Sequence, residues 1–379
     1  MPRPLLPRPA PVLGGKGVLS CLCLNRGRYR VVTTVGIVAT AVLVFVATAV
    51  GTGIVRHLLL RWAVLDHPNA RSSHTAVTPR GGGLALVPVV VLAWLAQAWV
   101  DAPDSWPVLV VCAAGLVVAM VSWADDVRGL SAGFRLAVQV AAVAAVMLAA
   151  PLPGPVFGGW LGPTVDTLAA AVVWLWFINL FNFMDGIDGL AGVEATTLGL
   201  GVALVSVLAG SAPMLPFHGV TLATAALGFL VWNWPPARLF LGDVGSIGLG
   251  FLLGWLLLRL AAEGQAIAAL ILPLYYLADG TITLARRLLR GERPWQAHRE
   301  HFYQKAVRAG AAHTAVVRRV IAANAVLLGM AALAALGRGG LALACACLAV
   351  GMLLMVLAPP AWVPARLRAW GGDYSGKDA

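Results

Sequence analysis

Phe240-Leu241-Gly242-Asp243-Val244-Gly245-Ser246 runs into an apolar segment that reaches Ala262 with Arg259 as its one further charge. A helix needs about 20 apolar residues to cross a hydrocarbon core, and this stretch supplies them. The carboxylate at its entrance is harder to place, because a charge at a helix end beside lipid is costly. Two readings follow. Asp243 caps the helix that begins there, or it faces a cation at the membrane surface.

Apolar runs of similar length fall on either side, at about 33–60, 84–100, 106–124, 134–150, 166–184, 193–210, 215–234, 264–283, 317–336 and 340–358. The expected fold is an all-α polytopic membrane protein with about ten to eleven transmembrane helices. Composition agrees: the 379 residues are 60% hydrophobic and 11% charged, where soluble domains carry about a quarter charged residues. A net charge of +11 invites a nucleic-acid partner. The basic residues, however, lie scattered among apolar runs, so membrane lipids and phosphorylated substrates are the expected partners and nucleic acid is not. Cys112, Cys345 and Cys347 sit in apolar runs and read as small hydrophobes. Val18-Leu19-Ser20-Cys21 is similar to a lipoprotein cleavage site, but Pro2, Pro4, Pro7, Pro9 and Pro11 break the apolar core that a signal peptide needs. The domain reading is a basic, proline-rich leader over 1–32, a transmembrane domain over 33–358 and a tail over 359–379.

The connecting loops alternate in charge. One set holds Arg56, Arg61, Arg71 and Arg80, then Arg128 and Arg135, then Arg238, then the basic stretch from Arg286 to Arg308. The other holds Asp101, Asp104 and Glu263 with few cations. Positive charge marks the cytoplasmic side, which places the first set and the tail inside. An odd helix count would leave residues 1–32 outside despite Arg3, Arg8 and Lys16. A start codon assigned too far upstream is the expectation that resolves this.

The unusual polar residues gather on the inward loops. Pro79-Arg80-Gly81-Gly82-Gly83 reads as a turn-rich loop or as a phosphate cradle, in which glycines let backbone N–H groups approach an anion. Asp125 and Asp126 are adjacent acids at a span end, tolerated beside a divalent cation or a strong base such as Arg128. Asn182-Phe183-Met184-Asp185-Gly186-Ile187-Asp188 sets two acids three apart, a spacing that aims both at one spot on a helix or tight turn. His298-Arg299-Glu300-His301 sets two histidines on one helical face within a basic stretch. With no cysteines or further ligands nearby, phosphate contact suits this pair better than zinc. Transport would instead place acids near span centres, and Asp279 is the one acid read inside a span, close to its inner end. No internal repeat supports an ion-coupled transporter, the rival class.

At these residues the chain resembles the polyprenyl-phosphate N-acetylhexosamine-1-phosphate transferases, the family that includes phospho-N-acetylmuramoyl-pentapeptide transferase. The likeness covers roughly 35–335. Arg71-Ser72-Ser73-His74, Pro79 to Gly83 and His298 to His301 resemble the branch that initiates O-antigen and related glycans. The resemblance implies a glycosyl-1-phosphate transferase that moves a UDP-linked N-acetylamino-sugar phosphate to undecaprenyl phosphate and releases UMP. It implies a bacterial cytoplasmic membrane, a site facing the cytoplasm, Mg²⁺ as cofactor with Mn²⁺ able to substitute, and an assembly compatible with a homodimer. Asp243 then becomes the metal ligand, and Asp125 and Asp126 the acidic pair near metal and lipid phosphate. Asp185 and Asp188 join Asn182 on the nucleotide-sugar side, while His298 and His301 contact diphosphate. Asn233 and Phe240 fall where uracil is held and stacked upon, and His74, Arg80 and Arg299 complete the substrate-binding set. The implied donor is a 6-deoxy sugar such as UDP-N-acetylfucosamine or UDP-N-acetylquinovosamine, with Trp295 under the C6 methyl; UDP-N-acetylglucosamine is the alternative.

Overall fold

The computed structural model describes residues 17–67, 76–100, 105–211, 214–292 and 298–358, with side chains from residue 36 onward. His74, Arg71 and Trp295 lie outside the described residues. Residues 1–40 form a unit apart from 41–379.

Helices dominate, as the apolar runs predict. They are α1 (Gly17–Arg61), α2 (Gly83–Val100), α3 (Trp106–Arg128), α4 (Ala132–Ala149), α5 (Pro163–Met184), α6 (Leu190–Ala209) and α7 (Met214–Asn233). Then follow α8 (Asp243–Leu260), α9 (Ala266–Ile271), α10 (Leu274–Leu289), α11 (Phe302–Arg308), α12 (His313–Leu333) and α13 (Gly339–Leu357). Among the described residues, nine apolar helical stretches are long enough to cross a membrane. Two of them, Asp243–Ile271 and His313–Leu357, contain non-helical backbone at Glu263-Gly264 and Leu336-Gly337. The count of ten to eleven arises by dividing at those breaks, with α12 and α13 packed side by side. The run read as one helix over 264–283 is itself divided, since α9 ends before Pro273 and α10 starts after it. Proline has no N–H to continue the ladder.

The described helices place α8 at the centre, against α2, α3, α5 and α6. Of the 18 most apolar consecutive residues within Asp243–Ile271, 94% are buried, against 17% of those within Gly36–Arg61. Small residues let the neighbours close in. A Cβ on Gly199 of α6 would lie 2.6 Å from the Gly219 carbonyl oxygen of α7, and one on Gly219 would lie 2.5 Å from that of Gly199. A two-stranded ribbon, β1 (Leu65–Asp66) against β2 (Thr78–Pro79), follows α1. It delivers Arg80 to Phe240, just ahead of α8, through a parallel bridge.

Candidate active site

The loop from Arg80 to Gly83 is sewn to the entrance of α8 by backbone. The Phe240 N–H donates to Pro79 (2.9 Å), and the Gly81 and Gly82 N–H groups donate to the Phe240 carbonyl (3.0 and 2.8 Å). Gly83 packs on Gly245 so closely that a Cβ there would fall 2.2 Å from the Gly245 Cα. The glycine run is therefore used for close backbone approach. Its N–H groups are spent on the chain itself, and the anion-cradle reading loses them.

Asp126, 1% exposed, accepts from the N–H groups of Asp243 and Val244, both at 3.0 Å, and so caps α8 from the end of α3. These are first-turn donors with no partner inside the helix. Gly242 at φ +76° makes room for the cap: a Cβ there would meet Asp126 Oδ2 at 2.9 Å. Of the two readings of Asp243, capping fails. Asp243 stands in the first turn, and its carboxylate pairs with Arg80 through Oδ1 and with Arg135 at 3.1 Å through Oδ2. Arg80 also reaches Asp126 at 3.0 Å, and Arg135 reaches Asp125 at 2.6 Å. The remaining Asp125 oxygen accepts from the Leu130 N–H. Arg135 for Asp125 and Arg80 for Asp126, not Arg128, are thus the bases that answer the acidic pair. Neighbouring carboxylates hold the Arg80 guanidinium charged and above its usual range, although burial works the other way.

The two acids that share a spacing of three do not share a target. Asp185 ends α5 and faces the cluster of Arg80, Asp243 and Asp126. Burial, then the nearby carboxylates, push its carboxyl up to about 7, with Arg80 opposing. Asp188 turns away, accepting from the Ala237 N–H at 3.0 Å and lying 3.2 Å from His313 Nδ1. Both lie in the turn between α5, which ends at Met184, and α6, which starts at Leu190, so helical spacing does not align them. Asn182 donates to Ser246 of α8 at 2.8 Å. Asn233 is 4% exposed and spends its amide inside the chain, accepting from Gly189 and donating to Leu239, both at 2.9 Å. It braces the loop that carries Phe240.

His298 and His301 are not on one helix, contrary to the spacing argument. His301 sits immediately before α11, because Asp279 captures the first N–H groups of that helix: Phe302 at 3.0 Å and Tyr303 at 3.4 Å. The rings still meet, stacked at 5.0 Å, and Tyr303 also stacks on His301, at 5.6 Å. Tyr303 donates to the Phe183 carbonyl at 3.1 Å, tying this region to the Asp185 turn. Burial, helped by His301 and Arg287, lowers His298 to about 4. It is neutral near pH 7 and offers a hydrogen bond rather than charge. Arg299 has its partners, and its place among substrate contacts stays an expectation. Beside the histidines, Thr283, Arg286, Leu289, Arg290, Glu300 and Lys305 line a pocket, with Arg290 paired to Glu300.

Arg135, Ser246, Asp279, Tyr303 and His313 were not singled out as site residues by sequence. In the sequence Asp279 reads only as an acid inside a span, and it is not alone there. Asp166 staples the Val156 and Phe157 N–H groups (2.9 and 3.0 Å), and Glu194 accepts from Asn324 at 2.8 Å.

Four carboxylates, those of Asp125, Asp126, Asp185 and Asp243, surround two guanidinium groups, those of Arg80 and Arg135. Even with Asp185 protonated the acids outnumber the bases, and the excess negative charge on hard oxygen donors suits a divalent cation. Among the described residues no three acids or imidazoles converge on one point. A cation held here would take one or two carboxylates and complete its shell with phosphate oxygens and water, which is how Mg²⁺ binds at phosphoryl-transfer sites.

Residues 108–261 match the family model of glycosyl transferase family 4. The chain is 30% identical over 277 residues to an undecaprenyl-phosphate alpha-N-acetylglucosaminyl 1-phosphate transferase of Yersinia pestis, spanning 68% of this chain and 73% of that protein. It is 26% identical over 278 residues to a probable undecaprenyl-phosphate N-acetylglucosaminyl 1-phosphate transferase of Bacillus subtilis, spanning 69% and 75%. A phospho-N-acetylmuramoyl-pentapeptide-transferase of Synechococcus is 34% identical over 253 residues, spanning 57% and 68%.

Proposed function

Because the chain belongs to the polyprenyl-phosphate N-acetylhexosamine-1-phosphate transferases, a family of membrane-embedded sugar-1-phosphate transferases, we propose that it moves an N-acetylhexosamine 1-phosphate from a UDP-sugar to undecaprenyl phosphate. UMP leaves, and the product opens a lipid-linked glycan. The observation that carries the reading is the acid-rich cluster around Arg80 and Arg135 at the entrance of α8. The positive-inside pattern supports a site facing the cytoplasm of a bacterial inner membrane.

Mg²⁺ is the proposed cofactor, held by Asp243 with Asp126 and Asp185 beside it, and it supplies charge neutralisation on the diphosphate. The chain's own groups do the rest. Arg80 and Arg135 are about a third exposed and each joins two carboxylates, so both can turn toward phosphate oxygens when those arrive. The nucleophile, a phosphate monoester with a second pKa of about 6, is already largely ionised near neutral pH. Asp185 is placed to take any remaining proton, since its carboxyl titrates near 7. Phe240, half-buried at the tip of the Asn233 brace, is the proposed stacking surface for uracil. Direct attack by the lipid phosphate needs no covalent enzyme intermediate.

For the donor we propose UDP-N-acetylglucosamine ahead of a 6-deoxy sugar. The relatives of Yersinia and Bacillus are named for N-acetylglucosamine. Purified protein with undecaprenyl phosphate and Mg²⁺ should release UMP from UDP-N-acetylglucosamine and stop when the metal is chelated. No release from any UDP-N-acetylamino sugar would sink the function, whereas faster turnover of a 6-deoxy donor would restore that alternative.

A further inference from the structure

We infer that Asp279 is a positioning residue for this reaction: it holds His301 with its Nδ1–H turned to the Asp279 carboxylate, and through it sets the stacked pair of His298 and His301. The inference rests on the transferase reading above.

Asp279 lies on α10, fully buried, and His301 is 1% exposed. Their closest atoms, Asp279 Oδ1 and His301 Nδ1, are 3.1 Å apart. The same carboxylate receives the Phe302 N–H at 3.0 Å, the Tyr303 N–H at 3.4 Å and the Thr283 hydroxyl at 3.3 Å. An ionised carboxylate only accepts. With three donors already pointed at it, the fourth contact must also bring a hydrogen, so Nδ1 carries it and Nε2 is left as the working nitrogen of the ring. The stack transmits this choice, because His301 stacks on both His298 and Tyr303. The other titratable groups facing the pair are Tyr275 from α10, Tyr303 and Lys305 from α11, and Arg287 and His298 at the pocket rim. A purely structural Asp279 would serve only as a cap for α11, and the two roles separate by experiment.

Asp279→Asn keeps the shape and one acceptor oxygen, but its amide can donate to Nδ1 and drive the imidazole proton to Nε2. Exchange of such an orienting carboxylate costs roughly ten- to a hundredfold in activity. The expected result is a loss of that size in kcat with little change in the KM for the UDP-sugar. In a His301→Ala background the same substitution should cost less than about twofold more, because coupled residues do not add. Full turnover in Asp279→Asn, or losses that multiply with His301→Ala, would overturn the inference. A second readout needs no turnover. In ¹⁵N-histidine-labelled protein, with seven histidines in the chain and His301→Gln for assignment, His301 should carry its proton on Nδ1 and move it in Asp279→Asn. Should the asparagine variant not fold, the wild-type spectrum decides, and a His301 protonated only on Nε2 refutes the assignment. If the wild type releases no UMP from any donor while the spectra behave as expected, the transferase reading fails and the Asp279–His301 pairing stands.

Discussion

The two halves of the site are held by different forces. Around Asp243, charged side chains share partners: Arg80 serves two acids, Arg135 serves two, and both guanidinium groups are about a third exposed, at 37% and 31%. Around His301, a buried acid, two stacked rings and a tyrosine bonded to backbone lock one arrangement. Ion pairs at a wet surface exchange partners at little cost, while a buried, fully bonded network resists any change. The first half is suited to receiving charged phosphates and a metal. The second is suited to holding a fixed wall against which they align.

Substitutions can break this contrast. Asp243→Asn is expected to have the largest effect, about 3–4 kcal/mol of transition-state stabilisation or several hundredfold in kcat, with Mg²⁺ activation lost. Thermal unfolding should hardly move, since Arg80 and Arg135 keep Asp126 and Asp125. A matching loss of stability would mean the charged half is as structural as the histidine half. His301→Ala should show the opposite signature, about 2 kcal/mol of stability lost with the packing and the anchor of α11. An unfolding temperature equal to wild type would remove the distinction from the other side.

Asp185→Asn should have the smallest effect and the most revealing sign. Its folded pKa of about 7 lies above the unfolded value of about 3.9. The native protein therefore binds that proton more tightly, so the stability this gives is fully present below about pH 4 and is lost as pH rises to 7. The neutral variant should melt higher than wild type at pH 8, by roughly 2–4 °C. That gain should shrink as pH falls through 7 and vanish near 4, while turnover drops at every pH. A variant less stable than wild type at pH 8 would show that Asp185 is an ordinary partnered carboxylate.

Much of this molecule was legible in its residues. Apolar runs marked the helices, because hydrocarbon thickness fixes their length. Acids at run ends marked the candidate site, because lipid penalises charge there. What stayed hidden depended on distance along the chain. Arg135 is separated from Asp243 by more than a hundred positions, and an arginine near a helix end has an ordinary explanation in the positive-inside rule. The Asp185 and Asp188 pair misled for a local reason: α5 ends at Met184, ahead of both, so the spacing that aligns side chains on a helix does not apply. His298 and His301 misled in the same way, since the cap that starts α11 comes from Asp279 on another helix. Asp126 hid behind its neighbour, as nothing in an Asp-Asp pair says which member caps a remote helix.

The enclosure of α8 also has a mechanical consequence. A bilayer acts on a protein at the surfaces it touches, so a membrane that is too thin or too thick is met by tilting of the outer helices. With α8 almost wholly sheathed by its neighbours, that lateral strain is spent on the periphery before it reaches the centre. The enzyme can share a membrane whose acyl chains change with temperature and growth while the end of its central helix keeps its depth.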